Sequence, residues 1–178
     1  SPFDHESIKL LNGLGLQVFK IPSGEITNLN YLRRIGLLHK KVILSTGMST
    51  MDEILDALDA VGFFSGYPTI LLVTTSQYPT PTKDVNLKKF HTLSKKFPNL
   101  PLGFSDHTVG PLASSLACVL GATFFEKHFT LDHNLPGPDH SFSVDPQELK
   151  IWRDSIINSF EMLGNPNIKP TKEEEKMK

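Results

Sequence analysis

Two histidines occupy matching places in short polar signatures, Ser105-Asp106-His107 and Glu126-Lys127-His128. Each signature ends an apolar stretch typical of a β-strand. Alternation then puts Ser105 and His107 on one strand face, and Glu126 and His128 on one face of the next. Imidazoles at neighbouring strand ends can share a divalent ion and leave coordination positions open for water and substrate. Taken singly, either histidine could do no more than satisfy a hydrogen bond at a sheet rim. A second group, Lys20, Ser23, Ser45 and Ser105, joins one cation to three hydroxyls near turn amides, a donor set that suits a phosphate. The plainer reading is a surface lysine with three turn serines. A third, Leu135-Pro136-Gly137-Pro138-Asp139-His140, is a stiff loop whose Asp139 could hold sugar hydroxyls or simply precede a helix. Gln77 and Tyr78 could face a polar ligand in the same way. His5, His39, His91 and His133 have no partner visible in sequence and read as surface residues.

These groups need a scaffold that brings distant stretches together. Apolar runs at Gln17 to Ile21, Lys41 to Leu44, Thr69 to Val73, Leu100 to Phe104 and Thr123 to Glu126 read as strands, each followed by a polar signature and then by helix-patterned sequence. Asp4 caps a first helix through Ile8, Leu10 and Leu11. Asn28 begins one through Leu32 and Ile35, and Thr50 with Glu53 forms a capping box. Further helices are expected near Leu87 to Phe97, from Leu112 to Leu120, and from the Asp145-Pro146-Gln147-Glu148 start to about Leu163. Parallel strands joined by right-handed helical crossovers carry all their C-terminal ends to one rim. The expected fold is therefore α/β, a (β/α)8 TIM barrel represented by its C-terminal five strands and helices. Such a barrel uses eight strands and about 250 residues. The strand-like Ser1-Pro2-Phe3-Asp4 fits a chain drawn from a longer enzyme; an open α/β sheet is the alternative. Residues 1–164 are expected to form the partial barrel, and residues 165–178, charged and coreless, a linker or disordered tail.

Composition narrows the function classes. The chain has 178 residues, a net charge of −1 and 39% hydrophobic residues, enough for a core and without a basic field for nucleic acid. Its single cysteine, Cys118 in an apolar run, allows no internal disulfide, fits a reducing cytoplasm and reads as a small core residue. No apolar run is long enough to span a bilayer, and no signal-peptide pattern opens the sequence. A soluble cytoplasmic enzyme that touches neither nucleic acid nor membrane is expected.

Six stretches together resemble the sialic acid synthase family, which includes N-acetylneuraminate, legionaminate and pseudaminate synthases. They are Lys20-Ile21-Pro22-Ser23-Gly24-Glu25, Ile43-Leu44-Ser45-Thr46-Gly47-Met48, Tyr78-Pro79-Thr80-Pro81 with Asp84-Val85-Asn86-Leu87, Gly103-Phe104-Ser105-Asp106-His107-Thr108, Glu126-Lys127-His128-Phe129-Thr130 and Pro136-Gly137-Pro138-Asp139-His140. The resemblance runs nearly to Gly164. It implies a transferase that condenses phosphoenolpyruvate with an N-acetylated amino sugar such as N-acetylmannosamine or a 2,4-diacetamido hexose. The products would be a nonulosonic acid and phosphate, in cell-surface polysaccharide biosynthesis. It also implies that His107 and His128 bind a divalent metal, Mn²⁺ or else Mg²⁺ or Co²⁺. Lys20, Ser23, Ser45, Ser76 and Ser105 would hold phosphoenolpyruvate, and Tyr78 and Asp139 would contact the sugar. Glu126 would support the metal site or substrate, and Glu25 would transfer a proton. The third strand end, Val73-Thr74-Thr75-Ser76-Gln77-Tyr78, departs from the family's His-Cys-Thr start. The resemblance further implies three earlier strands and a C-terminal antifreeze-like domain swapped in a homodimer, so that the chain alone is expected to be inactive. Two other readings are a metal-dependent aldolase and a non-catalytic partial barrel that binds a sugar or a partner protein.

Overall fold

The computed structural model describes residues 1–178. Its centre is a five-stranded, wholly parallel sheet in sequential order: β1 (Val18–Ile21), β2 (Lys41–Ser45), β3 (Thr69–Val73), β4 (Leu102–Asp106) and β5 (Phe124–Lys127). Six helices accompany the sheet: α1 (His5–Gly13), α2 (Leu29–Gly36), α3 (Met51–Ala60), α4 (Lys89–Lys96), α5 (Leu112–Val119) and α6 (Pro146–Met162). Sequential parallel order with crossover helices is the wall of a (β/α) barrel, and five strands make rather more than half of one.

Strand periodicity divides the side chains by destination. Phe19, Ile21, Val42, Leu44, Leu71, Val73, Leu102 and Phe104 pack against Leu32, Ile35, Leu58, Phe90 and Leu93 of the helix layer in one buried core. The alternate positions, among them Lys20, Ser45, Ser105 and Glu126, face the concave side and end at one rim. Register fixes who meets whom there, because β4 and β5 pair Ser105 with Glu126 and Asp106 with Lys127. The caps fall where expected. Asp4 accepts the Ser7 amide at 2.6 Å, and the Thr50–Glu53 and Asp145–Glu148 boxes close at the starts of α3 and α6. Cys118 is buried, as its apolar surroundings suggest.

Several expectations are corrected. Ser1 to Asp4 lies in no strand; the Pro2 carbonyl instead accepts the buried Tyr31 hydroxyl at 2.5 Å, fastening this segment to α2. β4 begins at Leu102 rather than Leu100 and runs on to Asp106; Pro101 has no amide hydrogen to give, so only its carbonyl joins β3, through the Leu71 amide at 3.0 Å. The charged tail holds a one-turn helix, α7 (Lys172–Glu175), closed by a capping box from Thr171 to Glu174. His39 has a partner: it stacks on Tyr67 with ring centroids 4.3 Å apart, and its Nε2 lies 2.8 Å from the Tyr67 hydroxyl. His133 also has partners, with Nε2 3.4 Å from Glu148 and 4.0 Å from Asp145. No helix is long and apolar enough to cross a membrane.

Candidate active site at the strand ends

The strand ends surround a cavity of about 590 Å³. Lys20, Ser23, Ser45, Ser76, Tyr78, Ser105, His107, Glu126 and His128 all line it, so most of the residues singled out in sequence come together. Two do not. Glu25 ends the 3-10 turn Ser23–Glu25, which turns its carboxylate toward Asn28, whose Nδ2 it accepts at 2.9 Å. Asp139 stands at the rim, with Oδ2 3.7 Å from His128 Nδ1.

One half of the cavity gathers Lys20, Glu126 and the serine hydroxyls. Lys20 Nζ lies 3.5 Å from Glu126 Oε1, and that same oxygen accepts the Ser105 hydroxyl at 2.8 Å. Burial lowers the Lys20 pKa, and the Glu126 carboxylate opposes that shift. Ser45 Oγ is the one buried side-chain polar atom without a hydrogen-bond partner, although it borders an open cavity. A buried hydroxyl left unpaired costs about 1–3 kcal/mol, which is why such atoms are rare away from ligand sites. The backbone closes in beside it. Gly47 donates its amide to Ser23 Oγ at 3.0 Å, and a Cβ on Gly47 would lie 2.7 Å from that oxygen and would also collide with Ser76 Oγ.

The other half is a cluster of rings. The His107 and His128 centroids are 5.4 Å apart, and Tyr78 packs on them at 4.2 and 5.3 Å. The His107 tautomer follows from its hydrogen bonds. Nδ1 lies 2.7 Å from the Thr75 carbonyl, which can only accept, so Nδ1 carries the proton and Nε2 is left with its lone pair beside Ser105 Oγ at 3.4 Å. A ligand imidazole that gives its other N–H to a backbone carbonyl is the usual arrangement of a metal-binding histidine. Burial pushes the His107 pKa down, and His128 adds to this against the Thr75 bond, keeping the ring in the neutral form a metal needs. The donor set therefore fits a divalent cation. Burial raises the Tyr78 pKa, and Asp139 and Glu126 raise it further, so the phenol is a hydroxyl donor at neutral pH.

Sequence reasoning passed over three contributors. Phe142, in the 3-10 turn His140–Phe142, closes the ring cluster with centroids 5.0 Å from Tyr78 and 5.2 Å from His128. Thr74 and Thr75 hold the third strand end to the fourth: Thr74 Oγ1 donates to the Ser105 carbonyl at 2.8 Å, and Thr75 anchors His107. Only the departure of Val73-Thr74-Thr75 from the resembling pattern drew attention there. One further cluster of potential ligands, His133, Asp145 and Glu148, lies away from the cavity at the start of α6. Its carboxylates already serve the α6 cap, Asp145 accepting the Gln147 and Glu148 amides at 2.8 Å and Glu148 accepting the Asp145 amide at 3.0 Å.

Comparisons with known proteins agree with this layout. The NeuB family profile matches residues 1–168. An N,N'-diacetyllegionaminic acid synthase of Campylobacter jejuni is 48% identical over 178 residues, covering 99% of this chain and 53% of that protein. One from Legionella pneumophila is 45% identical over 176 residues, covering 97% of this chain and 49% of that protein. The crystal structure of an N-acetylneuraminic acid synthetase from Leptospira borgpetersenii superposes with a TM-score of 0.88 at 33% identity, over 99% of this chain and 61% of that one. The chain thus spans about half the length of the curated relatives it matches. A parallel partial barrel, one rim cavity that gathers the matching signatures, and a family profile met along almost the whole sequence give one answer: the chain belongs to the NeuB family.

Proposed function

We propose that this chain supplies the cation- and phosphate-binding half of a synthase that condenses phosphoenolpyruvate with an N-acetylated amino sugar. The observation that carries the reading is the meeting, in one cavity, of Lys20 and the unpartnered Ser45 hydroxyl with two neighbouring imidazoles. In the proposed reaction C3 of phosphoenolpyruvate attacks the sugar aldehyde to form the new C–C bond. Water adds at C2, and the C2–O bond breaks as phosphate leaves with the bridging oxygen. The sum of phosphoenolpyruvate, sugar and water is a nonulosonic acid and phosphate.

Each residue receives a part that its surroundings allow. Lys20, with Ser23, Ser45, Ser76 and Ser105, would hold the phosphate and carboxylate through charge-assisted hydrogen bonds. Glu126 would orient Lys20 and Ser105, both of which it already touches. His107 and His128 would hold a divalent cation, with Mn²⁺ the favoured ion. When bound, that ion supplies Lewis-acid polarisation of the aldehyde and an anchor for water. Tyr78, packed on both imidazoles, would present its hydroxyl to the sugar, with Asp139 approaching from the rim. Glu25 keeps a proposed role in proton transfer, for which its carboxylate has to leave Asn28 and turn toward the cavity that the adjacent Ser23 and Gly24 line. Residues 165–178, exposed apart from the half-buried Pro170, suit a linker, and we propose a cytoplasmic, homodimeric parent protein.

The test is phosphate release by a protein containing this chain and the remainder of its parent, given Mn²⁺, phosphoenolpyruvate and a panel of N-acetylated hexosamines. Release that depends on a sugar and is abolished by His107→Ala and by His128→Ala is expected. Reversible pyruvate formation from a sugar acid would identify an aldolase instead. Cation binding with no turnover on any sugar would leave a binding module.

A further inference from the structure

We infer that the buried Asp106–Lys127 pair at the strand ends sets the spacing and orientation of His107 and His128, an inference that rests on the cation-binding reading above. Asp106 and Lys127 are the last ladder partners of β4 and β5, and each histidine is the first residue beyond the end of its strand. The Asp106 carboxylate bonds toward the helix layer, to Ser114 of α5 and Trp152 of α6, and Lys127, a residue that also borders the cavity, brings its ammonium group to it. Lys127 Nζ lies 3.3 Å from Asp106 Oδ2, with the two side chains only 3% and 0% exposed.

Both carboxylate oxygens are fully engaged. Oδ1 accepts the Thr108 amide and the Thr108 hydroxyl, each at 2.8 Å. Oδ2 accepts Ser114 Oγ of α5 at 2.6 Å and Trp152 Nε1 of α6 at 3.2 Å, and Trp152 Nε1 also donates to Ser114 Oγ at 2.8 Å. Lys127 Nζ in turn donates to the Thr108 carbonyl at 2.6 Å. Residues 106 and 108 are thereby fixed on either side of His107. On the neighbouring strand the His128 carbonyl accepts the Val144 amide at 2.9 Å, and Thr130 donates its amide to the Val144 carbonyl at 3.0 Å. His128 is held between that bridge and Lys127.

Stability alone does not account for such a pair. Two charges lose their hydration when buried, and apolar residues of similar volume often serve the fold as well or better. Directional bonds from α5, α6, β5 and the turn after β4 onto one carboxylate do what apolar packing cannot, which is to lock two strand ends in register and in angle. Asp106 and Lys127 are positioning residues for the imidazoles, and α6 is tied to the cavity through Trp152.

The test uses two readouts on this chain: Mn²⁺ affinity from the paramagnetic resonance of the free ion, and the imidazole nitrogen spectrum recorded without metal. The Asp106→Asn/Lys127→Met double variant removes both charges and leaves neither one buried alone. It should fold and bind Mn²⁺ about tenfold or more weakly, the scale of loss seen when groups that orient ligands are removed. Its His107 should also lose the uniform Nδ1–H tautomer expected of the parent. Leu58→Ala, a remote core change, should lower stability and leave both readouts alone. A folded double variant with parental affinity and tautomer, or an equal loss of affinity in Leu58→Ala, would overturn the inference. Should the double variant fail to fold, Trp152→Phe and Ser114→Ala decide, since each cuts one helix's bond to Asp106 and should still weaken Mn²⁺ binding and blur the tautomer. If the parent itself binds no Mn²⁺, the cation reading falls, and the imidazole spectra still settle whether the pair orients His107.

Discussion

Ser45→Ala should move stability and ligand binding in opposite directions. The Ser45 side chain is buried, and its hydroxyl has no partner although it borders the cavity. Desolvating a hydroxyl without a compensating bond costs about 1–3 kcal/mol, so deleting that oxygen should leave the fold as stable or up to that much more stable. In a domain of this size each kcal/mol corresponds to roughly 2–4 °C in melting temperature. If the hydroxyl exists to meet a phosphate, its loss removes one hydrogen bond to a charged group, worth about 1.5–3 kcal/mol. That converts to roughly 10- to 150-fold weaker binding. Differential scanning calorimetry gives the first number. Isothermal titration with phosphoenolpyruvate, at fixed ionic strength and with the wild-type chain alongside, gives the second. A variant that melts several degrees lower and binds phosphoenolpyruvate as well as wild type would refute the reasoning, because Ser45 would then be an ordinary packing residue.

Three more outcomes are expected. Gly47→Ala should weaken phosphoenolpyruvate binding at least as much, because the added methyl meets Ser23 Oγ and Ser76 Oγ. Its stability cost should stay at about 1–3 kcal/mol, as for an overpacked core, read from urea unfolding. Asp145→Ala should cost about 1 kcal/mol by removing the α6 cap, again read from urea unfolding. Burial first, then the nearby Glu25 and Asp4 carboxylates, push the Tyr31 pKa up from 10.0 to about 12. The folded chain therefore keeps this proton after the unfolded chain has lost it. The stabilisation is fully present below pH 10.0 and is lost as pH rises toward about 12. Unfolding midpoints compared between wild type and Tyr31→Phe across that interval should show a steeper fall in wild type, and parallel curves would contradict the assignment.

Much of this organisation is legible in one sequence because strand ends carry local signals. The branched run Ile70-Leu71-Leu72-Val73 and the boxes at Thr50 and Asp145 need only near neighbours to form, and all three appear as expected. Alternation alone put Ser105, His107, Glu126 and His128 on the cavity side. The same alternation sends the Asp106 carboxylate toward the helix layer, where Lys127 Nζ meets it, and there sequence is silent. Trp152 reaches Asp106 across 46 positions, through the docking of α6 against α5, which no local pattern encodes. His39 was missed for the same reason, since Tyr67 meets it only after two turns have folded together. Glu25 shows the converse. Its signature marks the right segment, but the short 3-10 turn decides which way its carboxylate points.

The most direct measurement is a crystal structure of this chain grown with Mn²⁺ and phosphoenolpyruvate, with anomalous differences collected at the manganese edge. The account predicts one strong peak bound by His107 and His128, with the phosphate among Lys20, Ser23 and Ser45. A manganese peak at His133, Asp145 and Glu148 instead, or phosphoenolpyruvate bound outside this cavity, would contradict it.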